Sequence, residues 1–241
     1  MTYKHNLPMQ SAPLSKTGKM PWFSWNIDSK HCKTAHKQVK ELDSPICGDC
    51  YASKGRYCGP RVINSEEENY LVWKTMKHES WVREFISLLS DRFYFSRSPI
   101  NSHFFRIFDS GDLQSVEMLR AWIEVATDLP KIRFWLPTRE VDFVNSYIMK
   151  GGIIPNNFKI RISDGEFDQI ESEHQDWIDK MNKMPNVKCK IGSSGVRSRK
   201  SKLVVLNECI SSKQDGKCFG SLKKCADCWL SVHDRIYYNQ H

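Results

Sequence analysis

Apolar positions along the middle of this chain switch between two spacings, and the switches mark out its elements. From Ser65 to Phe95, Leu71, Val72, Met76, Trp81, Phe85, Leu88 and Leu89 recur at helical spacing, which predicts two helices broken near His78 to Ser80. His103 to Phe108 reads as a strand. Ser115 then reads as the N-cap of a helix through Asp128 that carries Leu119, Trp122, Ile123 and Ala126 on one face. Ile132 to Leu136 is predicted as a strand, Glu140 to Lys150 as a helix ending at Gly151, and Phe158 to Ile162 as a further strand. A charged helix is expected over Asp168 to Lys183, with short strands at Val187 to Ile191 and Leu203 to Leu206. Strands alternating with helices argue for β–α units and a parallel sheet, open or curved. Eight units do not fit between residues 62 and 206, so the expected class is α/β with a partial parallel (β/α) barrel.

Outside that core the periodicity fades. Residues 1–62 are rich in turn formers and read as a loop-rich N-terminal metal-binding segment. Residues 63–206 form the α/β core, and 207–241 a C-terminal cysteine-rich metal subdomain.

Cysteine explains why metal enters the reading. Of nine cysteines, four fall early (Cys32, Cys47, Cys50, Cys58) and four late (Cys209, Cys218, Cys225, Cys228). Each group contains a C-x-x-C pair, Cys47–Cys50 and Cys225–Cys228, the spacing by which one tight turn grips a metal centre with two thiolates. The late group suits a closed four-thiolate zinc site or an iron–sulfur centre, and spacing does not separate the two. Cys189, in an apolar run, reads as buried packing. His31 and His36 flank Cys32 and read as surface residues, whereas Trp229, Tyr237 and Tyr238 are expected to pack around the late group. Met1 to Ser11 lacks the apolar stretch of a signal peptide, and no run approaches the ~18 apolar residues of a membrane span. A cytoplasmic protein with reduced thiols is expected, without a membrane partner.

The formal charge of +8, with a pI near 9.0, favours a polyanionic partner, of which nucleic acid (DNA or tRNA) is the commonest. Lys188, Lys190, Arg197, Arg199, Lys200 and Lys202 carry much of the excess. They surround Gly192-Ser193-Ser194-Gly195, read as a mobile loop that contacts a nucleic-acid backbone.

Working groups in parallel α/β folds sit where strands end. Three such ends are polar here: Asp109-Ser110-Gly111-Asp112, Thr138-Arg139-Glu140 and Ser163-Asp164-Gly165-Glu166. Asp109, Asp112, Arg139 and Asp164 are the catalytic candidates, and Ser110, Gly111, Asp112, Thr138 and Ser163 the cofactor-binding ones.

The combination of Cys32, Cys47-Gly-Asp-Cys50-Tyr51-Ala52, Phe105 to Asp112, Phe134 to Arg139 and Cys225-x-x-Cys228-Trp229 resembles a family of small phage proteins named after gene product eighty-eight of a mycobacteriophage. The likeness runs from about Trp22 to Trp229 and implies the host cytoplasm as location. Behind it stand two better-defined classes. Cys32, Cys47 and Cys50 resemble the three cysteines with which radical S-adenosylmethionine enzymes hold a [4Fe–4S] cluster. Ser110-Gly111-Asp112 stands where those enzymes place a Gly-Gly-Glu loop that binds the methionine amine, with aspartate replacing glutamate and a longer first cysteine spacing. Alternatively, Asp109 to Gln114 resembles the Asp-Ser-Gly-Gly-Phe-Gln loop of 7-deazaguanine transglycosylases. That likeness implies base recognition by Asp109, a nucleophile at Asp164 and zinc on Cys218, Cys225, Cys228 and His233. A third reading is a non-catalytic, metal-stabilised nucleic-acid-binding module.

Overall fold

The computed structural model describes residues 14–16, 20, 22–41, 44–94, 104–205, 207–213, 217–218, 225–230 and 234–240. Its centre is a seven-stranded sheet in sequential order: β1 (Ser15–Lys16), β2 (Phe23–Trp25), β3 (Phe104–Ile107), β4 (Arg133–Thr138), β5 (Phe158–Phe167), β6 (Gly192–Arg197) and β7 (Arg235–Asn239). Among the described residues only the β1–β2 pairing is antiparallel, every pairing from β2 to β7 is parallel, and the sheet does not close on itself.

The helices lie in the connections. Between β2 and β3 run α1 (Lys33–Glu41), α2 (Pro45–Gly48), α3 (Pro60–Thr75) and α4 (His78–Tyr94). Then α5 (Val116–Asp128), α6 (Val141–Met149) and α7 (Gln175–Asn182) each join successive strands, and α8 (Asp227–Leu230) lies between β6 and β7. The predicted cap at Ser115 is present, its hydroxyl accepting from the Met118 amide at 3.2 Å. Pro60 opens α3, where its missing N–H costs nothing.

Side-chain alternation along the strands sorts two faces. Phe105, Ile107, Phe134, Leu136, Phe158, Ile160 and Ile162 point into one core with Trp81 and Phe85 of α4, Trp122 of α5, Ile148 of α6 and Met181 of α7. Phe104 and Trp135 belong to a second cluster with Trp22, Trp229, Ile236 and Tyr238, so the C-terminal segment packs against the sheet's other face. The Trp229 indole N–H donates to the Phe105 carbonyl at 3.0 Å. On the same face Arg161, fully buried, donates to the carbonyls of Cys228 and Asp227.

Several expected boundaries move. The helix break falls at Met76 and Lys77 rather than at His78 to Ser80, and α3 starts at Pro60, across the expected division at residue 62. The N-terminal segment, expected to be loop-rich, contains β2, the first parallel strand. β5 continues through Ser163-Asp164-Gly165-Glu166 to Phe167, with a register shift between Ser163 and Phe167 absorbing the irregular part. Residues Asp168 to His174 are not helical; α7 begins at Gln175. Val187 makes only an isolated bridge to Ile154, and residues 203–205 form no strand, with Leu206 outside the described residues.

The largest correction concerns Gly192-Ser193-Ser194-Gly195. It is not a mobile loop but the buried start of β6, because its neighbours crowd it. A Cβ on Gly192 would meet the Asp234 carbonyl oxygen at 2.6 Å, and one on Gly195 the Arg235 guanidinium at 2.6 Å.

Candidate active site

Because β2 to β7 run parallel, the segments after them emerge at one edge, and this edge collects the polar loops. β3 ends in a sharp turn: Phe108 takes φ 65°, a left-handed conformation rare for a bulky residue, with its amide on the Trp25 carbonyl at 2.8 Å. Gly111 follows at φ 86°, where a Cβ would lie 2.3 Å from the Ile27 side chain and 2.6 Å from its carbonyl oxygen. Only glycine fits so close to the end of β2.

The turn presents two buried aspartates with different surroundings. Asp109 is locked: one carboxylate oxygen accepts from Arg106 at 2.6 Å and the other from the Tyr57 hydroxyl, while its amide donates to Asn26 Oδ1 at 2.6 Å. Its carbonyl accepts from the Tyr51 hydroxyl, so Asp109 ties the Tyr51–Tyr57 loop to β3. Asp112 accepts from the Leu113 amide at 2.7 Å, the Thr138 hydroxyl at 2.6 Å and the Arg139 amide at 2.8 Å. Burial pushes its carboxyl up to about 7, against the opposing pull of these donors.

The Arg139 guanidinium donates to the Asp164 carbonyl and to Ser44 Oγ at 3.4 Å, bridging β4, β5 and the residue before α2. Asp164 itself accepts from the Ser172 hydroxyl at 2.6 Å and pairs with Arg235. Ser163 faces Ser194 at 3.3 Å between hydroxyl oxygens.

Three early cysteines meet this edge. Cys32 follows a 3-10 turn at Ser29–His31, Cys47 lies in α2, and Cys50 follows it. The Cys32 thiol is pushed far up by burial, then by the negative potential of Asp112, Cys50 and Cys47. Cys47 is also raised by burial, with Arg139 opposing and Cys50 adding to the rise. These mutual effects place Cys32, Cys47 and Cys50 in one neighbourhood beside Asp112. Cys58 stands apart: it is exposed and donates to the Ser53 carbonyl at 3.1 Å. His31 bonds Glu67 at 2.8 Å and stacks on Tyr70, and His36 bonds the Lys30 carbonyl, so both have other partners.

Sequence reasoning missed the residues that hold Cys32. The Glu140 carboxylate accepts from the Thr34 amide and hydroxyl, both at 2.9 Å, and thereby caps α1 directly behind Cys32. Gln114 donates to the carbonyls of His31 and Asp112, each at 2.9 Å, and its own carbonyl receives Lys33 Nζ at 2.7 Å. A carboxylate directly after a strand-end Thr-Arg was the available signal for Glu140.

The late cysteines also lie together. Burial raises Cys218 to about 12, with Cys209 and Cys225 adding to it, and Cys228 to about 12, with Cys209 and Cys218 adding. Cys225 is raised to about 11 by burial, with Cys209 among the contributors. The Tyr238 hydroxyl lies 3.1 Å from Cys228 Sγ, in keeping with the packing role expected of that residue. Arg106 and Asp109 act on Cys218 as well, so the pair that holds Tyr51 and Tyr57 also reaches the late thiols. His233 lies outside the described residues. Among the described residues, no three His, Cys, Asp or Glu side chains stand in metal-holding geometry, and no two cysteines are joined in a disulfide. Cys189 is buried in the main core.

The basic stretch is divided by β6. Lys188 and Lys190 precede the strand and Arg199, Lys200 and Lys202 follow it, all exposed, while Arg197 pairs with Glu208 at 3.1 Å. A strand of six residues spans about 20 Å, so these groups lie at opposite edges of the sheet. Two clefts of about 400 and 390 Å³ open between helices, one lined by Glu79, Arg83, Glu124 and Asp128, the other by Ile123, Thr127 and Tyr147. Neither includes a residue of this edge. No described helix is long and apolar enough to cross a membrane.

Fold and site together define a mostly parallel α/β protein whose carboxyl edge gathers buried aspartates, an arginine and the cysteines inserted between its first two parallel strands. The family model described as Gene product 88 matches residues 4–229, and the chain belongs to that phage gene-product family. No curated protein and no solved structure matches it.

Proposed function

We propose that this protein is a radical-S-adenosylmethionine-like iron–sulfur enzyme acting on nucleic acid or a nucleobase, its sheet a partial parallel (β/α) barrel. One observation carries the reading: Cys32, Cys47 and Cys50 share a neighbourhood after the first parallel strand, while Asp112 stands beside them after the next. That is the order of cysteine loop and acidic loop in the enzymes the motifs resemble. The donor set suits the cofactor, since three thiolates hold a [4Fe–4S] cluster with one iron left without a protein ligand. Such a cluster supplies a chelating iron and one electron to S-adenosylmethionine.

The chain's own groups do the remainder. Thr138, Leu113 and Arg139 fix both carboxylate oxygens of Asp112 and leave it an acceptor for an ammonium group. Arg139 supplies positive charge beside Cys47, which favours the thiolate. The late cysteines form a second centre, zinc or iron–sulfur, that ties the C-terminal segment to the sheet. Base exchange by a transglycosylase draws less support, because Asp109 is held by Arg106 and Tyr57, and Asp164 by Ser172 and Arg235.

Anaerobically purified protein is expected to contain iron and inorganic sulfide and to show the broad visible absorption of thiolate-to-iron charge transfer. Cys47→Ala and Cys50→Ala lose the part of it due to this site, whereas Cys58→Ala and Cys189→Ala keep it. Zinc without sulfide in careful anaerobic preparations overturns the reading.

A further inference from the structure

Exposed cations flank the cysteine loop from two sides. On one side is α1, which leaves Cys32 directly and carries Lys33, Lys37 and Lys40 at intervals of four and three, one helical face; all three are exposed. On the other side is the loop after β6, with Arg199, Lys200 and Lys202 exposed. The two arms are joined through the C-x-x-C turn. The Arg199 amide donates to Gln240 Oε1 at 3.1 Å, and Gln240 Nε2 donates to the Asp49 carboxylate at 3.4 Å, between Cys47 and Cys50. α2, which contains Cys47, packs against α1.

Next to this turn stands an exposed aromatic residue. Tyr51 follows Cys50; its hydroxyl is anchored on the Asp109 carbonyl, yet 45 % of the residue's surface faces solvent. A fixed, exposed ring flanked by cations is what a single-stranded nucleic acid uses: phosphates run along the charges and a base stacks on the ring. A duplex keeps its bases inside and has no use for the ring.

Resting on the nucleic-acid reading above, we propose that Lys37 and Lys40 of α1, the Tyr51 ring, and Arg199, Lys200 and Lys202 form one track for single-stranded nucleic acid across the mouth of the site. Lys188 and Lys190, at the opposite edge, lie off it. The track carries a strand past the Cys47–Cys50 turn, so a base leaving the stack there reaches Asp112 and the thiols.

The test measures binding of the full-length, anaerobically purified chain to a mixed-sequence single-stranded oligonucleotide at several salt concentrations. Each phosphate contact contributes a slope of about 0.7 in log affinity against log salt on single strands. Lys37→Ala with Lys40→Ala is expected to flatten the slope by about 1.4, and Arg199→Ala, Lys200→Ala and Lys202→Ala together by about 2. Lys33 is left in place because it braces Gln114. Lys188→Ala with Lys190→Ala leaves slope and affinity unchanged. Tyr51→Leu weakens binding about tenfold at constant slope, and Tyr51→Phe, which keeps the ring, does not. Circular dichroism melts confirm that each variant is folded. Equal losses in the Lys188/Lys190 variant, tighter binding to duplex than to single strand, or equal binding to anionic vesicles overturns the track. Wild-type protein that binds no oligonucleotide overturns the nucleic-acid reading itself.

Discussion

Two buried carboxyls at the carboxyl edge are held away from their ordinary ionisation. Burial raises Asp112 to about 7 and Glu66 to about 8; for Glu66 the nearby Ser110 hydroxyl opposes the rise while Asp28 and Asp109 add repulsion. The folded state therefore binds these protons more tightly than the unfolded chain does. Stability is greatest where both are protonated and falls as pH rises from the ordinary carboxylate range through the raised values. By about pH 7 Asp112 is half ionised in the folded state and most of its effect is already spent, so of the two groups Glu66 dominates the decline up to about pH 8. The thermal midpoint of wild type is expected to drop over that interval, and Glu66→Gln to lose most of the drop. Equal slopes in the two proteins would show that Glu66 is solvated or ionised. At this scale sequence was a partial guide. The position of Asp112 beside a glycine at a strand end marks it as chemical, but Glu66 sits in a helix among other glutamates, and only its burial beside the Ser110 turn, on a helix whose Asn69 donates to the Asn26 carbonyl, distinguishes it.

At the scale of elements, the cysteine loop owes its position to groups borrowed from neighbouring strands. α1 begins one residue after Cys32, and its first turn is capped from the end of β4 by Glu140. Glu140→Ala leaves the Thr34 amide and hydroxyl without their acceptor and is expected to cost about 1–2 kcal/mol, the usual range for a lost cap. It should also speed alkylation of Cys32 in the metal-free protein. Asp142→Ala, which removes an exposed acid from the same loop-to-helix junction, changes neither. An unaltered alkylation rate in Glu140→Ala would mean that Gln114 alone fixes Cys32. Elements with strong periodicity were legible: β3, β4, α5 and α6 lie within one or two residues of where spacing and capping put them. The others depended on contacts that pattern does not encode. β2 is three residues long, and its strand character comes from pairing with Phe105 to Ile107, remote in sequence. β6 opens with glycine and serine, a composition that reads as flexible, yet those small residues are what let Asp234 and Arg235 pack against it. β5 runs on through Asp164-Gly165 because its bulge keeps pairing with β6 after the turn-forming residues.

Across the whole molecule, the two cysteine groups were legible as groups, but their relation was not. They stand at opposite ends of the sequence, and the parallel order of the sheet brings both to the Arg106–Asp109 pair, the first through Tyr51 and Tyr57, the second through Cys218. The late group also covers the face of the sheet opposite the helices. There Trp229 packs edge-on against Trp22, Trp135 and Phe104, with ring centroids 4.5, 4.9 and 5.6 Å away. On the reading of a metal held by Cys209, Cys218, Cys225 and Cys228, folding of this segment and metal binding are one equilibrium. Cys225→Ser and Cys228→Ser are then expected to lose that metal and lower the thermal midpoint sharply. Trp229→Ala, which leaves every thiol in place, removes a fully enclosed indole and should cost about 3–5 kcal/mol. It is also expected to weaken metal retention against a chelator, because the segment that presents Cys225 and Cys228 no longer has its anchor. Both effects should appear without loss of the absorption assigned to Cys32, Cys47 and Cys50, whose supports come from β3 and β4. Metal analysis during chelator titration, alongside thermal melts, separates the outcomes. Normal melting of both serine variants would remove the structural role of the late cysteines, and a Trp229→Ala protein that holds its metal as wild type does would show that the thiols close the segment on their own.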